Sequence, residues 1–262
     1  MRLPTTIRLF CLVLCATGGY AEGVFDTLIP VPREIQTQEG VFPLPVAGAR
    51  CSLTAPASDA AARLRERLLE SLERAGLPCD VHATEGNGFS LVLAASVVEA
   101  DALPALEPLP EKAREEGYRL AISPTTILLL AESEKGLFYG MMTLEQLLLA
   151  AKAYNLSELP CAILRDWPAL AMRGFSEDYG RDQLPTLEEH KRSIRDLARF
   201  KINTYLWFIE PDHFVYAFDP DISTDYDRFT FEDIRELVAY AKRYYLEIIP
   251  TVELLGHMEQ TL

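Results

Sequence analysis

The chain has 262 residues, 49% of them hydrophobic and 24% charged. That composition excludes a disordered tail, a collagen-like chain and a disulfide-dense miniprotein, and the length allows one large domain or two small ones. Lys and Arg number 25 against 39 Asp and Glu, a formal net charge of -14 with a pI near 4.8, so the basic field that phosphate backbones require is missing and nucleic acid is not an expected partner.

The first predicted segment is a secretory signal peptide over residues 1–21. Arg2 and Arg8 form a positive n-region, Leu9 to Ala16 is a short apolar stretch, and Gly19-Tyr20-Ala21 places small residues where cleavage requires them. A membrane span needs about 20 apolar residues. This run is shorter, so the expectation is a secreted or periplasmic protein with no membrane attachment after cleavage. Cleavage after Ala21 removes two arginines and no acid, giving -14 - 2 = -16. Cys11 and Cys15 leave with the signal. Cys51, Cys79 and Cys161 remain, an odd number whose spacing matches no zinc site, and buried free thiols are the expected state.

Residues 22–164 read as a small α+β N-terminal domain. Leu28-Ile29-Pro30-Val31-Pro32 is extended and punctuated by proline. Ser58 is expected to cap a helix in which Leu64, Leu68, Leu69 and Leu72 recur at helical spacing, with Gly76 as its stop. Phe89 to Ala95 has strand length, and Leu103 to Pro110 is a proline-rich loop. Tyr118–Ile122 and Thr126–Ala131 flank Ser123-Pro124-Thr125 as a hairpin. A helix over Glu134–Leu149 places Leu137, Met141, Leu144 and Leu148 on one face.

From residue 165 to 262 the grammar changes. Ala169 to Phe175 is expected to be extended. Thr186 with Glu189, and Thr230 with Asp233, form capping boxes ahead of two amphipathic helices. Asn203–Ile209 and Glu247–Val252 are apolar strands. Strand, helix, strand, helix, strand is the pattern of a parallel α/β unit.

Function in such units gathers at the carboxyl ends of the strands. The first strand leads through Arg173 and Gly174 to Glu177, Asp178 and Arg181; the second ends in Glu210-Pro211-Asp212-His213; the third ends in Glu253 and then Gly256-His257. Each of these residues alone reads as an ion pair or a solvated loop, but three polar groups at three successive strand ends read as a site. His190, His213 and His257 lack zincin spacing, and neither a phosphate loop nor a nucleophile elbow is present, so no metal or cofactor is expected. Asn155-Leu156-Ser157 is a glycosylation triplet of a kind common by chance.

These residues resemble a known family. Met172-Arg173-Gly174-Phe175-Ser176-Glu177-Asp178-Tyr179-Gly180-Arg181 is similar to the opening barrel strand of glycoside hydrolase family 20, the β-N-acetylhexosaminidases, in which Arg-Gly is followed at fixed offsets by Asp and Arg. Lys201-Ile202-Asn203 resembles the family's Lys-x-Asn before the second strand, and Ile249-Pro250-Thr251-Val252-Glu253-Leu254-Leu255-Gly256-His257 resembles its Ile-Pro-Glu-x-Asp-x-Pro-Gly-His. Glu116-Gly117-Tyr118-Arg119-Leu120 and the stretch from Gly136 to Leu147 resemble the domain that precedes the barrel.

The resemblance implies an α/β chain in which the α+β domain is followed by the first three βα units of an incomplete TIM (β/α)8 barrel. It implies an exo-acting enzyme that releases terminal N-acetylhexosamine from a glycan or glycoconjugate by a substrate-assisted retaining mechanism, with no cofactor. Arg173 is then the sugar-binding residue, and Asp178, Glu210, Asp212 and His257 form a supporting polar relay. The catalytic Asp-Glu pair is expected beyond Leu262, so the chain as given is expected to be inactive. Several positions depart from the pattern: Glu210-Pro211-Asp212 stands where the family has Asp-Asp, and Thr251, Glu253 and Leu255 replace Glu, Asp and Pro. The chain therefore reads as a divergent branch. A non-catalytic sugar-binding or interaction module, a pseudoenzyme, is the alternative reading.

Overall fold

The structure, a computed structural model, describes residues 23–44, 50–56, 58–77, 80–85, 89–94, 106–178, 185–209 and 229–252. The chain divides into two compact units, Met1–Ala169 and Leu170–Leu262.

The first unit contains strands β1 (Glu34–Pro43), β2 (Arg50–Ala55), β3 (Asp80–Glu85), β4 (Phe89–Ala94), β5 (Tyr118–Ile122), β6 (Thr126–Ala131) and β7 (Glu158–Asp166), with helices α1 (Ser58–Ala75) and α2 (Glu134–Ala153). They form one seven-stranded sheet in the order β1-β7-β5-β6-β4-β2-β3. All pairs are antiparallel except β2 with β3. The hairpin β5–β6 and helix α1 form where the sequence predicts them. Helix α1 stops at Gly76, whose φ of +76° is open to glycine without strain. There Leu77 N–H donates to Leu72 O at 2.9 Å and Gly76 N–H to Glu73 O at 2.9 Å, a Schellman ending.

Helix α2 departs from its predicted single apolar face. Gly136 through Leu148 are buried without interruption, because the helix packs on β4, β5 and β6 on one side and on α1 on another. Gly140 makes this approach possible: a Cβ there would run into the Leu129 side chain and the Tyr118 ring. Three polar residues of the helix are buried with partners. Glu145, 2% exposed, accepts from Ser71 Oγ at 2.6 Å and pairs with Arg74, which ties α2 to α1. Gln146 accepts from Ile29 N–H and donates to Ile29 O, both at 2.9 Å, holding the segment before β1. Thr143 meets the Tyr118 hydroxyl at 2.6 Å, and that hydroxyl donates to Asp166 at 2.9 Å.

Strands β1, β2, β3 and β7 were not among the predicted elements. Strand β1 is an exposed edge strand with a register shift between Thr37 and Val41, and Gly40 in that bulge has φ +105°. Strand β7 pairs with both β1 and β5 and runs to Asp166, so the predicted boundary at 164/165 falls inside it. Cys51 and Cys161 are buried, and burial pushes the Cys161 thiol pKa up; Cys79 lies outside the described residues. Among the described residues no helix is long and apolar enough to cross a membrane.

The second unit contains β8 (Gly174–Asp178), α3 (Leu187–Arg199), β9 (Thr204–Ile209), α4 (Phe231–Lys242) and β10 (Glu247–Val252). Its three strands are parallel in the order β10-β9-β8. Both predicted capping boxes form: the hydroxyls of Thr186 and Thr230 accept from the N–H of Glu189 and Asp233, whose carboxylates accept from the cap N–H groups at 2.8 Å. The extended segment predicted over Ala169–Phe175 is shorter. Residues up to Arg173 bend, and the strand begins at Gly174. The cause is Asn203, whose side chain holds the incoming main chain at Ala171 and Arg173.

Candidate functional site

Alternation along the parallel strands separates two faces. Phe175 and Glu177 lie in register with Tyr205 and Trp207, while Gly174, Ser176 and Asp178 lie in register with Thr204, Leu206 and Phe208. Tyr205 and Trp207 face the helices, since His190 of α3 packs against both rings. Among the described residues of the second unit no helix is seen against the opposite face, and Asp178 stands on it, exposed, as the last residue of β8. This is the carboxyl end of a parallel sheet, where α/β folds place their ligands.

Arg173 is elsewhere. It precedes β8 at the amino end of the sheet, and its guanidinium is engaged by main-chain carbonyls: Nε donates to Lys201 O at 2.7 Å and Nη1 to Leu170 O at 2.8 Å. Its main-chain N–H donates to Asn203 Oδ1 at 2.8 Å. Fixed in this way, the side chain clamps the segment before β8 to the turn after α3, at the end of the sheet opposite Asp178. Lys201, whose carbonyl accepts from Arg173 Nε, follows the end of α3 with φ +60° and is 5% exposed. Glu210, Asp212 and His257, together with Arg181, His213 and Glu253, lie outside the described residues. Of the predicted relay, the described residues contain Asp178 alone.

One constellation has no counterpart in the sequence reading. The Tyr205 hydroxyl donates to Glu177 Oε2 at 2.6 Å and lies 3.4 Å from His190 Nδ1. His190 is 0% exposed, with the Trp207 and Phe229 rings at 4.9 and 5.3 Å. Burial pushes the His190 pKa down to about 4, against the opposing pull of the Glu177 and Glu189 carboxylates. The imidazole is neutral at pH 7. The signal for this cluster was the spacing of Tyr205 and Trp207 on one face of an apolar strand. Among the described residues no group of three or more His, Cys, Asp or Glu is placed to hold a metal ion.

A seven-stranded sheet backed by two helices, followed by a parallel βαβαβ unit, is the mixed α/β fold of a group of solved glycosidases. The N-acetyl-β-hexosaminidase of Streptomyces plicatus, solved in complex with Thio-NAglucal, superposes with a TM-score of 0.68 at 21% identity, covering 91% of this chain and 48% of that one. The β-N-acetylhexosaminidase of Bacteroides fragilis NCTC 9343 superposes with a TM-score of 0.61 at 20% identity, covering 90% and 47%. The family model for glycosyl hydrolase family 20, domain 2, matches residues 26–167. The chain belongs to glycosyl hydrolase family 20. A beta-hexosaminidase of Porphyromonas gingivalis is 33% identical over 167 residues, 55% of this chain and 21% of that protein. A beta-hexosaminidase of Vibrio furnissii is 27% identical over 255 residues, 88% and 38%. The chain thus spans less than half the length of each of these relatives.

Proposed function

We propose that the chain carries the second domain and the first three βα units of the TIM barrel of a secreted or periplasmic β-N-acetylhexosaminidase, with residues 1–21 as its signal peptide. The supporting observation is the family 20 match over 26–167 directly followed by a parallel unit whose first strand ends in Asp178. The substrate is a glycan or glycoconjugate with a terminal N-acetylhexosamine. In this reading the substrate's acetamido oxygen attacks the anomeric carbon, an Asp orients the acetamido group, and a Glu protonates the leaving oxygen. That Asp-Glu pair is proposed to follow Leu262 in the coding sequence. Asp178 borders the sugar, with Glu210, Asp212 and His257 as its polar surroundings. Because Arg173 is engaged at the amino end, recognition of the sugar hydroxyls is assigned to Arg181, which follows Asp178 by three positions.

Reading the gene beyond the Leu262 codon and assaying its product on p-nitrophenyl N-acetyl-β-glucosaminide tests this. The expected outcome is a Gly-x-Asp-Glu motif and release of nitrophenol. In that protein, Arg181→Ala raises KM for the glycoside, while Arg173→Ala lowers the melting temperature and leaves KM near the parent value. A product with the motif that binds N-acetylglucosamine without turnover defines a sugar-binding pseudoenzyme instead. A product with neither binding nor turnover overturns the proposal.

A further inference from the structure

Strand β8 has little hydrophobic pattern to fix its register. On the helix side it offers Phe175, itself 43% exposed, and Glu177; on the other side stand Gly174, Ser176 and Asp178, all exposed. A slip of one residue in such a strand exchanges its faces. Polar contacts at the two ends of the strand oppose that slip. At the amino end Asn203 Oδ1 accepts from Arg173 N–H at 2.8 Å and Asn203 Nδ2 donates to Ala171 O at 2.7 Å. The main-chain N–H groups of Asn203 and Thr204 donate to Arg173 O at 3.1 and 3.3 Å. At the carboxyl end the fully buried Tyr205 donates to Glu177 Oε2 at 2.6 Å. Tyr205 is itself fixed by His190, whose ring is held against Trp207 and Phe229.

We propose that Asn203 and the Tyr205–Glu177 hydrogen bond are positioning groups that lock β8 in register, and so decide that Asp178 rather than Glu177 faces the open side of the sheet. The lock gives a reason for two adjacent carboxylates with different tasks. Glu177 is the anchor, and Asp178 is the group presented. The inference deepens the proposed function, since the open face is the sugar side only in that reading.

Hydrogen–deuterium exchange on the 262-residue chain tests the lock without any sugar. In Tyr205→Phe and Glu177→Leu, exchange over 174–178 is expected to rise about ten-fold or more, as the loss of a hydrogen bond to a charged group implies. Exchange in α3 and β10 is expected to stay unchanged. Glu177→Gln, whose amide oxygen still accepts from Tyr205, restores the parent protection. Asn203→Ala frees the same segment from its other end. Unchanged exchange over 174–178 in Glu177→Leu overturns the proposal. So does an equal rise across β8, β10 and α3, which marks Tyr205 as a general packing residue. Sugar binding is read separately, from the Asp178 amide resonance during titration with N-acetylglucosamine. A parent chain without that response counts against the proposed function, and the lock then stands or falls on the exchange data.

Discussion

His190 is a neutral base inside an aromatic box, and its environment sets a direction for pH dependence. Its pKa is about 4 when folded and 6.5 when exposed in the unfolded chain. Between those values the unfolded chain takes up a proton that the folded chain refuses, so stability is full above pH 6.5 and falls as the pH drops toward 4. The slope is at most about 1.4 kcal/mol per pH unit. With Trp167 replaced by Phe, Trp207 emission should follow this loss in thermal melts, and His190→Phe should flatten the profile. Gly140 gives a second residue-scale expectation. Gly140→Ala inserts a methyl against Leu129 and Tyr118, and should destabilise the first unit by about 1–3 kcal/mol in urea titration. Arg173 shows where sequence reading reached its limit. The charge was visible, but its place depended on where the strand began. Asn203, thirty positions away, decides that by hydrogen bonds that no local pattern encodes.

The helices share one ending. Residues with φ between +53° and +76° follow all four helices of the described residues: Gly76, Asn155, Lys201 and Tyr245. In each the next residue's N–H reaches back to the last turn: Leu77 to Leu72, Leu156 to Ala151, Ile202 to Leu197 and Leu246 to Ala241. Only the first has the glycine that announces such a stop. Gly76→Ala should cost about 1–2 kcal/mol through left-handed strain alone, since a Cβ there meets nothing closer than Lys152 Nζ at 3.4 Å. Asn155→Gly, at an exposed turn, should be neutral or stabilising by a few tenths of a kcal/mol; denaturant midpoints distinguish the two signs. The helix starts were legible because Thr-x-x-Glu and Thr-x-x-Asp encode both partners within one turn. Strands β1 and β3 were not. EIQTQEGVFP and DVHATE are polar edge segments whose strand character comes from the partners β7 and β2, not from alternation of their own.

The two units are held by different means. The first closes a seven-stranded sheet under two helices, with polar groups paired through Glu145, Gln146 and Asp166. The second has three parallel strands with helices on one face among the described residues. Residues 23–169 expressed alone should therefore show a single cooperative urea transition, whereas 170–262 alone should give a broad one with early exposure of Trp207. The family was legible from short motifs in fixed order. The architecture of the first unit was not, because its sheet joins β1 to β7 across more than a hundred residues.

The Gln146 carboxamide meets Ile29 as a neighbouring strand would, donating and accepting at one residue. Val24, Phe25 and Leu28 are buried just upstream of it. A shortened version that starts at β1 would leave that amide stranded beside a vacated hollow. For anyone cutting, tagging or grafting this unit, the eleven residues before Glu34, from Gly23 on, belong to the fold and go with it.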